Sequence, residues 1–265
     1  MYIEVAAHRG NVALYPENSM PAYRSAYEIG ADMIELDLHM TKDGEIVLIH
    51  DGDLARTSDV SGKIRELSLD EIRRADIGIK RGEKFRGLRV PTLREFCEFV
   101  AAENDTMQFN FEFKDYFSED VQWAKTSADK IITMVDNYGL WNRSFVNSFD
   151  GALLSYIDEK YDGRFRLHGF YPYSILGAVY PRNLYCACLW KYDNPDGTPA
   201  FDGVVNPQKD FDALLSQGVH PWVGASIRKI EDMLRAAQYG AELITSNEPA
   251  FMIEGLAKVG LRSKE

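Results

Sequence analysis

Residues 3–38 read IEVAAHRGNVALYPENSMPAYRSAYEIGADMIELDL. The stretch opens on a short apolar run, Ile3–Ala7, with the length of a strand. A helical pattern follows from Ser19 to Ile29. Asn18 or Ser19 is its expected N-cap, because a side-chain oxygen there accepts the first free amide hydrogens. Gly30 closes the helix, since glycine tolerates the left-handed conformation that ends one. Met33–Leu38 then reads as a second strand. Strand, helix and strand in succession describe a parallel pair joined by a helical crossover.

The same order continues outward from this unit. Ile46–Ile49, Met107–Phe113, Ser144–Ser148, Arg164–Phe170, Gly203–Val205, Trp222–Ala225 and Leu243–Thr245 read as strands. Helical stretches include Leu69–Ala75, one opening at Thr92, and those around Val121–Asn137, Ile230–Gln238 and Pro249–Ala257. The 265 residues match the roughly 250 of one (β/α)8 barrel. The expected fold is therefore α/β, a TIM-type (β/α)8 barrel in a single domain spanning residues 1–265. Tyr171–Pro199 is the least regular segment, expected to be a long loop with a short helix that roofs the site.

Composition narrows the partners. With 45 % apolar and 27 % charged residues the chain has the balance of a soluble enzyme. Its net charge of -11 disfavours broad electrostatic binding to nucleic acid or to anionic lipid. Any positive field for an anionic substrate must then be local. Cys97, Cys186 and Cys188 are too few for a disulfide framework, and Cys186 and Cys188 read as a buried thiol pair. No apolar run is long enough for stable membrane insertion, and no signal peptide is visible, so a cytoplasmic protein is expected.

The chemistry lies where charge interrupts apolar strands. His8-Arg9-Gly10 follows the first strand, and His50-Asp51 follows Ile46–Ile49. Glu35 and Asp37, and again Glu112 and Lys114, stand at i, i+2, so each pair shares a face of its strand. At the C-terminal mouth of a parallel barrel these ends converge. Three buried carboxylates would be costly unless a hard cation such as Mg²⁺ or Ca²⁺ joins them. Arg9 can then bind a phosphate bidentately, Lys114 adds a point charge, and the imidazoles suit proton transfer. His39, His168 and His220 read as structural, with His39 a candidate supporting group behind the acidic pair.

Ala7-His8-Arg9-Gly10, Pro16-Glu17-Asn18-Ser19 and the run from Gly30 through Asp37 resemble the glycerophosphodiester phosphodiesterase family. Thr41–Gly44, His50-Asp51, Leu54–Thr57, Pro91–Leu93, Phe111–Lys114 and Ser148–Asp150 continue the pattern in order. The resemblance implies a TIM-type barrel that hydrolyses glycerophosphodiesters, as its small-molecule substrates, to glycerol 3-phosphate and an alcohol. It implies His8 and His50 as the acid–base pair, and Arg9 and Lys114 as phosphate contacts. Glu35, Asp37 and Glu112 would hold one divalent cation, Mg²⁺ or Ca²⁺. In the family's reaction the glycerol 2-hydroxyl can attack phosphorus to give a cyclic phosphate that water opens.

The later strands depart from the family pattern. Trp222-Val223-Gly224-Ala225 keeps the tryptophan, which is expected to pack against the glycerol or the leaving group, but loses the polar positions after it. Thr245-Ser246-Asn247 replaces the usual Thr-Asp. These changes bear on substrate preference. The competing readings are a phospholipase-D-like enzyme acting on lysolipids or sphingolipids and a non-catalytic barrel that binds phosphate ligands. Asn18 is read as a helix cap ahead of a partner for His8 or the substrate.

Overall fold

The computed structural model describes residues 2–103, 106–190 and 203–262. Its strands are β1 (Glu4–Ala7), β2 (Met33–Met40), β3 (Ile46–Leu48), β4 (Gln108–Phe113), β5 (Ser144–Asn147), β6 (Arg166–Tyr171), β7 (Cys186–Leu189), β8 (His220–Val223) and β9 (Leu243–Ser246). Its helices are α1 (Met20–Glu28), α2 (Leu69–Ile72), α3 (Leu93–Ala101), α4 (Val121–Asn137), α5 (Gly151–Lys160), α6 (Gln208–Leu215), α7 (Ile230–Gln238) and α8 (Pro249–Lys258). All strands but β3 are parallel, and β1 pairs with both β2 and β9, so the sheet closes into an eight-stranded TIM barrel.

Closure follows from burial on both faces. Every residue of β2 is buried, as parallel strands covered by helices must be. Outside the sheet, Tyr23, Phe96, Phe109 and Phe111 pack edge to face between α1, α3 and β4. The helix starts are set locally. Ser19, not Asn18, caps α1, its Oγ accepting from the Ala22 amide. Thr92 and Glu95 form a capping box on α3, and Asp150 caps α5 through the amides of Ala152 and Leu153.

Three expectations change. Ile46–Leu48 is a strand, but it runs antiparallel to β2 and lies outside the closed barrel. It starts an excursion over residues 49–92 with its own small core of Val47, Ile49, Leu54, Ile64, Ile72 and Val90. Gly203–Val205 is not a strand; the barrel position it was expected to fill belongs to Cys186–Leu189. That strand lies inside the stretch read as a loop. Only a 3-10 turn, Tyr173–Leu176, and irregular chain join β6 to β7, which is why no strand–helix rhythm marks the place. Residues 191–199 of the expected roof lie outside the described residues. Cys97, Cys186 and Cys188 are free and buried. Among the described residues no helix is long and apolar enough to cross a membrane.

At the N-terminal end of the barrel Asp32 ties three elements together. It accepts from the Val5 amide at 2.8 Å and the Tyr2 hydroxyl at 2.7 Å, and it pairs with the nearly buried Arg262. Arg262→Ala would leave Asp32 short of its cation and should lower the unfolding free energy by about 3 kcal/mol. Urea denaturation measures this, and turnover per folded molecule should stay unchanged.

Candidate active site

The mouth of the barrel holds a cavity of ≈ 530 Å³ lined by His8, Arg9, Glu35, His50, Glu112 and Lys114, among others. The turn after β1 brings in the first of them. Gly10 adopts φ +83°, and a Cβ there would meet the Ala22 backbone at 2.7 Å, so only glycine lets the turn press against α1. Arg9 is itself left-handed at φ +57°, an uncommon state for a side-chain-bearing residue. Its amide donates to Glu35 Oε2 at 2.8 Å. The backbone itself thus helps hold a site carboxylate.

Glu35, Asp37 and Glu112 offer oxygens that all lie within 4.8 Å of one another. The register explains why: β2 and β4 pair Asp37 with Glu112, and Glu35 sits two residues earlier on the same face. Lys114 Nζ lies 3.2 Å from Asp37 Oδ1 and forms a very short contact with Glu112. Arg9 Nε lies 3.3 Å from Asp37 Oδ2. Burial, then repulsion from Asp37 and Glu112, pushes the Glu35 carboxyl well above its usual range. Burial also works against an ionised Asp37, yet the Lys114 and Arg9 cations hold it below the usual range.

Glu35 Oε1 and Asp37 Oδ1 are buried without a hydrogen bond. Oxygen donors this close and this poorly hydrogen-bonded fit a hard divalent cation. Asn18 supports the group from behind. Its Nδ2 donates to Asp37 Oδ2 at 2.7 Å, while its Oδ1 accepts from the Tyr23 hydroxyl at 2.8 Å. The expected capping role is therefore corrected to one at Asp37.

The imidazoles are each held by one nitrogen. His8 Nδ1 meets Asn247 Oδ1 at 2.6 Å, and Nε2 lies 3.9 Å from Glu35. An amide oxygen only accepts, so Nδ1 carries the hydrogen and Nε2 turns a lone pair to the cavity. Burial and the neighbouring Arg9 charge pull His8 down to about 4. His50 Nδ1 meets Asp51 Oδ1 at 2.6 Å, leaving Nε2 for the cavity. His39 sits behind it, its Nε2 on the His50 carbonyl at 3.2 Å and its Nδ1 on Asp115 at 3.0 Å.

One chain of charges links these parts. Arg56 binds Asp51 through Nε at 2.6 Å and Glu17 through both terminal nitrogens at 2.7 and 2.8 Å. Glu17 in turn accepts from Arg9 Nη1 at 2.9 Å. Glu17, Asp51, Arg56 and Asn247 were not singled out as site residues from sequence. Glu17, Asp51 and Arg56 stand inside motifs that carried the resemblance, which was the available signal. Asn247 lies in a run read only as a departure affecting substrate preference, yet it holds His8.

Trp222 is the residue that leaves the expected set. It is fully buried and does not line the cavity. Its Nε1 donates to Thr245 Oγ1 at 2.8 Å, and its ring stacks on His168 at 4.1 Å. The indole is large and faces the barrel axis, so it fills the core beneath the site. Seven of the eight expected residues do converge. His220 pairs with Glu242 on a half-exposed edge, at the N-terminal end of β8.

Fold and site geometry define a class first: a TIM-barrel enzyme whose mouth is built for an anionic ester. The pattern of the glycerophosphoryl diester phosphodiesterase family matches residues 8–242, and the chain belongs to that family of phosphoric diester hydrolases. It is 38 % identical over 256 residues to the glycerophosphodiester phosphodiesterase of Caldanaerobacter subterraneus subsp. tengcongensis, covering 97 % of this chain and 98 % of the relative. Among solved structures, an Oleispira antarctica phosphodiesterase in complex with the product sn-glycerol-3-phosphate aligns with a TM-score of 0.77 at 18 % identity, over 97 % of each chain. The glycerophosphodiester phosphodiesterase of Agrobacterium tumefaciens aligns with a TM-score of 0.73 at 21 % identity, over 95 % of this chain and 99 % of that one. At such identities these two structures speak to the fold.

Because Ser19 caps α1, Asn18→Ala should leave helix content intact while weakening Mg²⁺ or Ca²⁺ binding about 10–100-fold, the usual effect of losing a ligand's supporting group. Circular dichroism and metal titration by calorimetry check the two halves.

Proposed function

We propose that the chain hydrolyses glycerophosphodiesters to sn-glycerol 3-phosphate and an alcohol. One divalent cation would be held by Glu35, Asp37 and Glu112, with His8 and His50 exchanging protons. The observation that carries this reading is the convergence of His8, His50, Arg9 and Lys114 with the close carboxylates Glu35, Asp37 and Glu112 at one cavity. Family membership and the named activity of the 38 % identical relative support the substrate class.

When bound, the cation supplies charge for the phosphate oxygens and for the charge that develops on them. Arg9 and Lys114 then orient the phosphate from the β1 and β4 sides, Arg9 by a planar fork and Lys114 as a compact charge. One imidazole Nε2 accepts the proton of the attacking oxygen. The other delivers a proton to the departing alcohol oxygen, so charge does not accumulate on either. Asn247 and Asp51 fix the two rings with Nε2 toward the cavity, which lowers the entropy lost in reaching the reactive geometry.

The far side of the cavity is apolar, formed by Phe149, Phe170, Leu189, Val205, Phe211 and Val223. That wall favours a second substrate class, lysophospholipids, whose acyl arm it could cover. A side-by-side assay of glycerophosphocholine and a lysophospholipid ranks the two by kcat/KM.

His8→Ala and His50→Ala should each lower kcat by about 10²–10⁴ with the protein still folded. Chelation by EDTA should abolish release of glycerol 3-phosphate, and added Mg²⁺ or Ca²⁺ should restore it. Wild-type turnover that persists unchanged in EDTA would overturn the metal assignment.

A further inference from the structure

The excursion over residues 49–92 breaks the charge balance of the chain. It carries ten Lys and Arg against eight Asp and Glu, in a protein whose net charge is -11. The imbalance centres on Lys80-Arg81-Gly82-Glu83-Lys84-Phe85-Arg86, with four cations and one carboxylate. This segment folds as two successive 3-10 turns, Ile79–Arg81 and Glu83–Phe85. At physiological salt a surface charge acts over roughly 8 Å, so attraction to another surface depends on the local patch and not on the sum.

The segment is pinned beside the barrel mouth. The buried Asp76 carboxylate accepts from the amides of Gly78 at 2.9 Å, Ile79 at 3.1 Å and Gly87 at 2.7 Å, tying both ends of the segment together. A Cβ on Gly78 would meet the Phe85 carbonyl at 1.8 Å, so the two turns fold against each other only at a glycine. Arg81 Nη2 donates to the carbonyls of Val12 and Ala13 at 3.1 and 2.9 Å, in the connection that follows His8 and Arg9. Lys80 Nζ donates to the carbonyls of Ala55 and Arg56. The Phe85 ring lies 5.9 Å from that of Tyr15. These contacts join the cations to the loop whose Leu14 is 58 % exposed.

Carbonyl partners leave a cation's charge in place. Among the described residues Lys80, Arg81 and Lys84 form no ion pair, and Lys84 Nζ lies over the Phe85 ring at 4.7 Å. Arg86 pairs with Glu83 at 2.5 Å, and Asp76 and Asp59 are the other carboxylates acting on it. All four cations are exposed. Exposed cations beside an exposed leucine are the chemistry of interfacial binding: the charges meet anionic headgroups, and the apolar side chain enters the headgroup boundary. Nucleic acid would engage the cations but offers nothing to Leu14. We propose that this rim, Leu14 with Lys80, Arg81, Lys84 and Arg86, is a peripheral docking surface for an anionic lipid bilayer. Docking there holds the barrel mouth near the membrane without inserting the chain. It does not depend on which diester the site takes.

Vesicle flotation tests this. The protein should float with vesicles of mixed phosphatidylcholine and phosphatidylglycerol at low salt, and not with phosphatidylcholine alone. Binding should be lost in 1 M salt, where the screening length falls to about 3 Å. A basic side chain near an anionic surface strengthens binding roughly fivefold, so Lys84→Glu should weaken it at least about fivefold. Leu14→Ser should weaken it about threefold or more. Lys258→Glu makes the same charge change at the far end of α8, away from the mouth, and should leave binding within about twofold of the wild type. Thermal unfolding checks that each variant is folded, and these side chains are exposed enough to change without disturbing the core. Absence of flotation with anionic vesicles at low salt would overturn the proposal. So would equal flotation with phosphatidylcholine alone, or equal losses from Lys84→Glu and Lys258→Glu. Capture by duplex DNA in preference to anionic vesicles would assign the patch to nucleic acid and overturn the lipid docking.

Discussion

Three carboxylates crowded within 4.8 Å are the feature around which the barrel mouth is organised. At an effective dielectric near 20, two unit charges at that separation repel by roughly 3–4 kcal/mol, and burial adds a solvation cost. Lys114 and Arg9 offset part of this at Asp37. Glu35 shows what is left over, since its carboxyl is pushed well above its usual range by burial and by its two neighbours. A divalent cation held there would resolve that residue of repulsion. The same two cationic side chains that stabilise the carboxylates then flank the place where a phosphate would lie.

The remaining polar groups hold these parts in register. From Asp51 through Arg56 and Glu17 to Arg9, alternating charges run from the support of one imidazole to a cation beside the carboxylates. A partly buried network of this kind fixes side chains whose rotamers would otherwise be free, which matters more for positioning than for stability. The excursion after β3, with its own small core, exists in structural terms to present His50 and Arg56 over the barrel mouth. The other half of the cavity is different in character. β6 through β8 contribute a rigid stack of His168 on Trp222 and an apolar wall. The cavity is therefore charged on the β1–β4 side and largely apolar opposite, where Asn206, Ser226 and Arg228 are the polar exceptions.

Much of the barrel was legible in the chain. Where a strand, a helix stop and the next strand follow in sequence, as from Ile3 to Leu38, local signals and burial agree. They failed at β7, because a barrel strand reached through a 3-10 turn has no helix before it to announce it. They failed for β3 as well, since a short apolar run carries no mark of whether it will pair parallel or antiparallel. Asn18 and Ser19 are both good caps, and which one serves depends on where β2 places Asp37, a contact 19 residues away.

By itself the sequence determined the residue types and the spacing within each strand: the i, i+2 carboxylates, the His-Arg-Gly turn, and their order along the chain. Those are local properties, because strand periodicity and the glycine requirement act over a few residues. Only the tertiary structure decided who faces whom. It paired Asp37 with Glu112, brought Asn247 across 239 residues to His8, and stacked Trp222 on His168. Barrel closure sets these distances through the stagger of neighbouring strands, and no single segment contains that information.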